Sequence, residues 1–408
     1  MHWRTIGHVL GNLALLLGAF MTLPLLLALV NGTAPGTFLA SAALAAVVGV
    51  ALGGGPASVR RAPRWVRCNV RRWRERAGLP AGAQNGPQAE ALEPAEAAAG
   101  DELRVRDAFV IVTFGWLLAG VLGAVPFVLA GVLGPVDAFF ESVSGFTTTG
   151  ATVLQRIEGL PRGLLLWRSM LQWLGGMGII VLFVSVVQRP SVGGAHLFRA
   201  EFPGPIPEKL LPRITATARL LWSLYTVVTL VAVLAYWAAG LTLFDAINHA
   251  FTTLSTGGFS THTAGVWENP WAEGAAILFM FLGGTSFVLQ HRLYRLRDWG
   301  ALRHAAEFWA YLAVAALAML LVAVSLVRSG LYGDAATALR KAAFQVVSLL
   351  STTGYTSADY GAWPPLAAAV LFTVMFIGGM TGSTGGGPKV FRWLVMFKQV
   401  GSETVRLL

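Results

Sequence analysis

Charge is scarce in this sequence. Only 12% of its 408 residues are Asp, Glu, Lys or Arg, whereas 55% are hydrophobic and the mean hydropathy is +0.63. Soluble domains carry roughly twice that share of charge, so the composition excludes a water-soluble globular enzyme. Apolar runs of 18 or more residues separate the charged stretches and indicate membrane-spanning helices.

Cysteine and catalytic side-chain sets are also scarce. The single cysteine, Cys68, excludes an intrachain disulfide and a thiolate metal cluster. The apolar runs hold no Ser/His/Asp set, paired carboxylates or histidine metal spacing, so we expect no enzyme, no catalytic residue and no cofactor. Cytoplasmic loops facing anionic membrane lipid explain the net charge of +10 better than nucleic acid does.

The apolar runs predict an all-α polytopic membrane protein with about eight transmembrane helices. They lie at about 6–30, 36–55, 107–131, 164–188, 215–240, 271–290, 305–328 and 364–400. The first run is too long for a signal-peptide core, so we expect it to be retained. If the spans cross the membrane in alternating directions, the loops rich in Lys and Arg all fall on the same side. This distribution predicts a cytoplasmic N-terminus and a cytoplasmic Arg-rich loop.

That loop contains a cluster of arginines followed by a stretch rich in Ala, Pro, Gly and Glu. We expect the arginines to contact lipid head groups and the later stretch to be a flexible linker, with docking of a partner protein as the alternative. The arginines are Arg60, Arg61, Arg64, Arg67, Arg71, Arg72, Arg74 and Arg76.

Three segments between the spans, at 136–155, 243–263 and 338–357, are too short and too polar to cross a membrane. We expect each to enter and return on the same side, which requires backbone that is packed in protein or lines a water-filled path. The three share one register, because a glycine follows Asp137, Asp245 and Lys341 by thirteen residues each time. Glycine pairs follow those glycines after 25, 25 and 24 residues, which indicates an internal repeat.

Each repeat reads as span, short helix, Thr/Ser-rich turn and span, a pattern that is typical of a cation pore. The short helix directs its partially negative C-terminal end toward the membrane centre. The turn can present backbone carbonyls and threonine hydroxyls in place of the hydration oxygens of an ion. Ordinary loop chemistry would explain one such turn, but three in register argue against that reading.

Two further sets of residues recur in the repeats. Glu141, His249 and Gln345 occupy equivalent positions in the short helices, and we expect them to anchor these helices by hydrogen bonds, with ion coordination as the alternative. A second set indicates close helix packing and consists of Gly175, Gly176, Gly283 and Gly284.

The last apolar run holds too many glycines between Gly378 and Lys389 to remain helical in lipid. We interpret this stretch as an unwound segment that forms a movable barrier across the ion path, with a simple cytoplasmic turn as the alternative. A phosphate-binding loop is excluded because Pro388 precedes the lysine and Val390 follows it where Ser or Thr is required.

The sequence resembles the TrkH/KtrB family of bacterial potassium transporters. The resemblance covers nearly the whole chain and rests on residues 141–152, 173–178, 255–261 and 382–386. It implies potassium transport through a selectivity filter formed by Thr148, Thr149, Gly150, Thr256, Gly257, Gly258, Thr352, Thr353 and Gly354. It further implies an intramembrane gating loop at 378–388, with Gly378, Gly379, Gly382, Ser383, Thr384, Gly385, Gly386 and Gly387 as the gate.

The same resemblance implies surroundings and partners. We expect a homodimer in the bacterial inner membrane, each protomer with its own pore, and a cytoplasmic nucleotide-binding regulatory subunit of the TrkA/KtrA type against the Arg-rich face. Glycine at position 150 favours potassium over sodium, because relatives with serine there favour sodium. Passive flow and ion-coupled symport both stay open.

The domain organisation departs from the family pattern of four repeats. We expect a hairpin at 1–56, a loop and linker at 57–106, and pore repeats at 107–190, 191–295 and 296–408, with the fourth repeat absent. Three explanations stay open: a truncated piece, a fourth quarter supplied by another polypeptide, or a non-conducting scaffold. Lys341 is a second departure, because it stands where the other two repeats have an aspartate. A cation at the start of a short helix would weaken the electrostatic field of that helix.

Overall fold

The computed structural model describes residues 2–53, 105–178, 214–263 and 269–407, and the regular elements in these ranges are helices. The predicted Arg-rich loop and linker at 57–106 lie almost entirely outside the described residues. The end of the span predicted at 164–188 lies outside them as well.

The chain opens with a helical hairpin. Helices α1 (Trp3–Phe20) and α2 (Thr22–Asn31) follow each other as one apolar stretch of 29 residues, and α3 (Pro35–Ala51) returns along α1. The chain reverses at Gly32, whose φ of 66° lies in the left-handed region that favours glycine. The predicted runs at 6–30 and 36–55 are confirmed as helices as far as Ala51, and residues 54 and 55 lie outside the described residues.

Three units with the same order of elements follow the hairpin. Each consists of a long helix, a short helix, an extended turn and another helix, as the internal repeat predicts. The units are α4 (Val105–Leu129), α5 (Pro135–Phe146) and α6 (Arg162–Gly176); α7 (Ile214–Ala238), α8 (Leu243–Leu254) and α9 (Pro270–Gly283); and α12 (Ala306–Ser329), α13 (Ala335–Leu350) and α14 (Pro365–Met375).

Local sequence explains where the short helices begin. Pro135 starts α5, where its missing N–H is not needed. Thr242 caps α8 by accepting a hydrogen bond from the Asp245 N–H, and Asp334 caps α13 by accepting one from the Thr337 N–H. Because α13 begins at Ala335, Lys341 lies inside the helix, so its expected place at the helix start is wrong.

Two of the predicted straight spans are broken. The run predicted at 271–290 is not one straight helix, because α9 and α10 (Phe287–Tyr294) meet at 104° across Gly284 to Ser286. A Cβ at Gly284 would lie 2.2 Å from the Tyr311 hydroxyl, so glycine permits this tight bend. The run predicted at 364–400 is interrupted between α14 and α15 (Val390–Leu407), which confirms the unwound segment there.

Helix length and composition agree with a membrane location. Among the described residues, four stretches are long and apolar enough to cross a membrane, or five if α9 and α10 count as one bent span. α3 and α14 are shorter apolar helices. The chain is an all-α, multi-pass membrane protein, and the number of eight spans stays a prediction.

Candidate functional site

The turns that follow the three short helices share one backbone conformation. We name them the first turn (Thr148 to Gly150), the second turn (Thr256 to Gly258) and the third turn (Thr352 to Gly354). The threonine that begins each turn has a φ of 54°, 54° and 63° in the first, second and third turn. The glycine that ends each turn has a φ of 75°, 78° and 81°. A positive φ is rare for a residue with a Cβ, so its recurrence at three threonines reflects a shared local structure.

Each turn is closed by the same hydrogen bonds to the end of its short helix. One carbonyl oxygen, that of Ser144, Thr252 or Ser348, accepts from two successive backbone N–H groups of the turn. The bonds run from Thr149 and Gly150 at 2.9 and 3.5 Å, from Gly257 and Gly258 at 2.9 and 3.3 Å, and from Thr353 and Gly354 at 2.9 and 3.2 Å. The structure therefore places the nine predicted filter residues in three equivalent turns, and their role in ion binding stays a prediction.

The turns pack edge to edge in an arc. A Cβ at Gly150 would lie 2.2 Å from the carbonyl oxygen of Gly257, and a Cβ at Gly258 would lie 1.9 Å from that of Thr353. Only glycine allows backbones to approach this closely. At Gly354 no heavy atom of the described residues lies within 4 Å of such a Cβ. The arc is therefore open on the outer side of the third turn.

Gln172 from α6 fixes the second turn and is a residue that the sequence analysis missed. Its side-chain amide donates to the Gly257 carbonyl at 2.7 Å and accepts from the Phe259 N–H at 3.0 Å. A Cβ at Gly257 would lie 2.3 Å from this amide, which explains why glycine stands where the other turns have Thr149 and Thr353. A buried glutamine inside an apolar run was the available signal.

A buried ion pair joins the segments that follow the first and second turns. Arg168 of α6 donates to Glu141 at 2.6 Å and to the carbonyl of Ser260 at 3.0 Å, and its guanidinium lies 3.6 Å from the Phe259 ring centroid. Glu141 also accepts from Thr152 at 3.0 Å. Burial leaves the pair little water, so each charge depends on the other. Arg168 was a second missed residue.

The expected anchoring role holds for two of the three equivalent polar residues. Glu141 makes the bonds just described, and His249 pairs with the Ser260 hydroxyl at 3.3 Å. The buried Gln345 side chain has no hydrogen-bond partner among the described residues, so that expectation is wrong for it. In the third unit Lys341 takes the anchoring role, because its ammonium donates to the Ser357 carbonyl at 3.0 Å and pairs with Glu273 of α9.

A surface contact joins the loops that follow the first and second turns. Glu158 accepts from both the hydroxyl and the backbone N–H of Thr263, each at 2.6 Å. The bond from the hydroxyl stabilises the carboxylate most, followed by the bond from the backbone N–H. Together they lower the pKa of Glu158 from 4.5 to about 2.

The Gly-rich segment (residues 378–388) folds back beneath the second and third turns. The Thr384 hydroxyl donates to the Leu254 carbonyl at 2.8 Å and to the Gly283 carbonyl at 3.0 Å. The Gly386 N–H donates to the Thr352 hydroxyl at 2.6 Å. The Lys389 ammonium donates to the Gly385 carbonyl. The predicted gate residues thus contact the predicted filter residues directly, and their gating role stays a prediction.

A cavity of about 430 Å³ lies between the first turn and the Gly-rich segment. Thr147 and Thr148 line one side, while Gly382 to Gly387 and Lys389 line another. The paired glycines border the same region. A Cβ at Gly175 would lie 1.8 Å from the Phe146 carbonyl, and one at Gly176 would lie 2.7 Å from the Ser255 Cβ, so the close-packing interpretation of these glycines is confirmed.

Comparison with known proteins finds similarity to one family of transport proteins. Residues 88–407 match the family model TrkH, described as a cation transport protein. The Trk system potassium uptake protein TrkH of Salmonella typhimurium is 42% identical over 312 residues, which cover 75% of this chain and 65% of that protein. The Trk system potassium uptake protein TrkG of Escherichia coli is 37% identical over 313 residues, covering 76% and 64%. The chain therefore spans just under two thirds of the length of these relatives.

A solved structure is similar over the whole of this chain. The crystal structure of the potassium transporter TrkH from Vibrio parahaemolyticus superimposes with a TM-score of 0.75 at 31% sequence identity. The similarity covers 100% of this chain and 77% of that one. The match includes the three repeated units and the Gly-rich segment, because these lie within residues 88–407. The chain belongs to the TrkH family of cation transport proteins.

Proposed function

We propose that this chain moves potassium ions across a membrane along the axis that the three turns surround. The observation that carries the proposal is the recurrence of one turn conformation three times, with neighbouring turns packed backbone to backbone. Such an arc holds carbonyl and hydroxyl oxygens in a fixed array, which can replace the hydration oxygens of a cation. The names of the relatives, potassium uptake proteins, support potassium as the ion.

The open side of the arc requires a fourth element for a closed ring of oxygens. We propose that a further span and turn, on this gene product or on another polypeptide, occupies the space beside Gly354, which is exposed in the described structure. The alternative function is a non-conducting membrane scaffold that binds a partner. The same open side favours that alternative, because three quarters of a filter would hold an ion poorly.

The Gly-rich segment is proposed as the gate. It lies directly under the second and third turns, and it consists of residues whose backbone is not locked into a helix. Movement of this segment would change access to the turns from the cavity beneath them.

Location and partners complete the proposal. Four arginines lie in α10, in the short helix α11 (Trp299–Arg303) or between them, and they support a cytoplasmic position for that end of the molecule in a bacterial inner membrane. They are Arg292, Arg295, Arg297 and Arg303. The N-terminus and the Arg-rich loop would lie on the same side. A homodimer, a cytoplasmic nucleotide-binding subunit and the absence of enzymatic activity are parts of this proposal that follow from the resemblance to the family.

Rubidium uptake tests the function. Residues 1–408 would be produced in a bacterium that lacks potassium uptake, alone and together with a fourth span–turn unit from a relative, at low external potassium. Growth and rubidium uptake in either condition support transport. Absence of uptake in both conditions, with the protein present in the membrane, would favour the scaffold and overturn the proposal.

Two glycine variants, one in a turn and one on α9, test whether the turns conduct. Gly258→Val places a side chain against the Thr353 carbonyl, whereas Gly274→Ala adds a methyl group on α9 with no heavy atom within 4 Å. We expect uptake to be lost in the first variant and retained in the second. Full uptake by G258V would remove the second turn from the ion path.

A further inference from the structure

The threonines that begin the three turns have the same backbone conformation but different hydroxyl partners. The Thr256 hydroxyl donates to the carbonyl of its neighbour Ser255 at 2.7 Å, within its own turn. Thr148 lines the cavity beneath the first turn. The Thr352 hydroxyl instead accepts the Gly386 N–H at 2.6 Å, from a residue 34 positions further along the chain. The third turn is thus joined to the Gly-rich segment through a side chain.

Other bonds hold the Gly-rich segment to the second unit and to α12 of the third unit, where Glu307 accepts from the Thr381 N–H at 2.6 Å. Thr384 bonds to the carbonyls of Leu254 and Gly283, and the Met380 N–H donates to the Gly284 carbonyl at 2.8 Å. These contacts lie at the end of α8 and at the break after α9. The segment therefore contacts both units, and its bond to the third turn runs from Gly386 to Thr352.

Glycine is needed at the crossing point. A Cβ at Gly385 would lie 3.0 Å from the Ser351 carbonyl, and one at Gly386 would lie 3.3 Å from the Thr352 hydroxyl oxygen. Larger residues would hold the segment away from the turn and lengthen the hydrogen bond. The three glycines at 385–387 thus let the backbone of the segment approach the third turn closely. The Gly386 N–H can then reach the Thr352 hydroxyl.

We propose that Thr352 is a positioning residue that couples the Gly-rich segment to the third turn. While the segment lies against the turn, the Gly386 N–H occupies a lone pair of the Thr352 hydroxyl and keeps that oxygen turned toward the segment. When the segment withdraws, the hydroxyl is released to the ion path, so opening the gate also completes the oxygen set of the third turn. This inference rests on the function proposed above, and it assigns the coupling to one of three otherwise equivalent threonines.

The test removes the acceptor without changing side-chain shape. Thr352→Val keeps the branched volume but has no hydroxyl, whereas Thr352→Ser keeps the hydroxyl and serves as the conservative rescue. Thr256→Val is the matched control, because it removes an equivalent hydroxyl that bonds within its own turn. A neutral hydrogen bond shifts a two-state equilibrium by roughly three- to ten-fold.

Two readouts separate the position of the segment from conduction. The first is the rate at which a charged thiol reagent modifies S383C, in a background where Cys68 is replaced by serine. The second is rubidium uptake by the same cells. We expect T352V to raise the modification rate by about three- to ten-fold, and T352S and T256V to leave it near that of the parent.

The outcomes distinguish the coupling from the transport function. Faster modification in T352V with no rubidium uptake by any variant would support the coupling and contradict conduction. Equal modification rates in T352V, T352S and the parent, with rubidium uptake intact, would overturn the coupling and leave conduction standing. A rise in T256V equal to that in T352V would also overturn it, because the effect would then not depend on the contact with Gly386.

Discussion

The second and third turns have the same backbone, but different parts of the protein hold them. The second turn is held by Gln172 of α6, whose side-chain amide forms hydrogen bonds with Gly257 and Phe259. The third turn is supported by its own hydroxyl groups, since Ser351 pairs with Thr353 at 2.8 Å, and by the unwound Gly-rich segment. One turn is therefore fixed by the scaffold, whereas the next depends on a segment that is free of helical hydrogen bonding.

This difference shows that a repeated unit can keep its backbone conformation while the contacts that support it diverge. The first turn resembles the third, because Thr147 pairs with Thr149 at 2.8 Å. In the second turn the space of that threonine side chain is taken by the Gln172 amide. If the Gly-rich segment is the gate that we propose, this difference in support would let it act on the third turn and leave the second in place.

The largest expected effect comes from the glycines that let the turns approach each other. Both Gly258 and Gly354 have a positive φ, so alanine costs about 1–2 kcal/mol at either position for backbone strain. Only at Gly258 does the new Cβ also meet a backbone oxygen, 1.9 Å away. We expect Gly258→Ala to lower the Tm of the detergent-solubilised protein far more than Gly354→Ala, and to reduce rubidium selectivity over sodium.

Equal Tm values for these two variants would contradict the edge-to-edge packing of the second and third turns. Gly150→Ala is the internal check, because its Cβ would meet the Gly257 carbonyl at 2.2 Å. It should therefore behave like Gly258→Ala.

An intermediate effect is expected from the amide that holds the second turn. Gln172→Leu leaves the Gly257 carbonyl and the Phe259 N–H without their buried partner, and each such loss costs roughly 1–3 kcal/mol. Gly257→Thr should also destabilise, because the new side chain overlaps Gln172. The φ of Gly257 is not positive, so threonine itself fits the backbone there.

Combining the second substitution with Gln172→Ala converts the second turn to the arrangement of the other two. The freed space would receive the threonine, whose hydroxyl can then pair with Ser255 as Thr353 pairs with Ser351. We expect the double variant to be more stable, by about 1–3 kcal/mol, than the summed losses of Gly257→Thr and Gln172→Ala made singly, measured as a double-mutant cycle on thermal unfolding. Strictly additive losses would mean that Gln172 and Gly257 do not exclude each other.

The sequence predicted the repeat, the three turns and the unwound segment, because each depends on local residue types in a fixed register. Asp137 and Asp245 with their glycines thirteen residues later mark equivalent positions that the structure confirms. Gln172 escaped prediction because it has no counterpart in the other units, where Met280 and Phe376 stand at the corresponding distance from the turn glycine.

Long-range contacts account for the other misses. The bend between α9 and α10 depends on the close approach of Gly284 to Tyr311, and the apolar pattern continues across it unchanged. The role of Lys341 depends on Glu273, which lies 68 residues earlier in the chain. Neither partner can be identified from the spacing of residues within one repeat.

The smallest expected effect concerns the surface contact between the loops that follow the first and second turns. Bonds from Thr263 hold the pKa of Glu158 at about 2 instead of 4.5. A carboxyl group whose pKa is lower in the folded than in the unfolded protein stabilises the fold above the unfolded pKa, and this contribution disappears as the pH falls toward the folded pKa. The contribution should therefore be complete at pH 7 and decline between pH 4.5 and about 2.

Glu158→Gln tests this contact through the pH dependence of Tm. We expect the variant to melt slightly below the parent at pH 7, because glutamine offers one acceptor oxygen where the carboxylate offers two to Thr263. The difference should shrink as the pH is lowered below 4.5, since the parent then loses the same interaction. In a Thr263→Val background the substitution should have a much smaller effect at neutral pH, because the hydroxyl partner is gone. A Tm difference that stays constant from pH 7 to pH 3 would show that the Glu158 carboxylate does not stabilise the contact between the loops that follow the first and second turns.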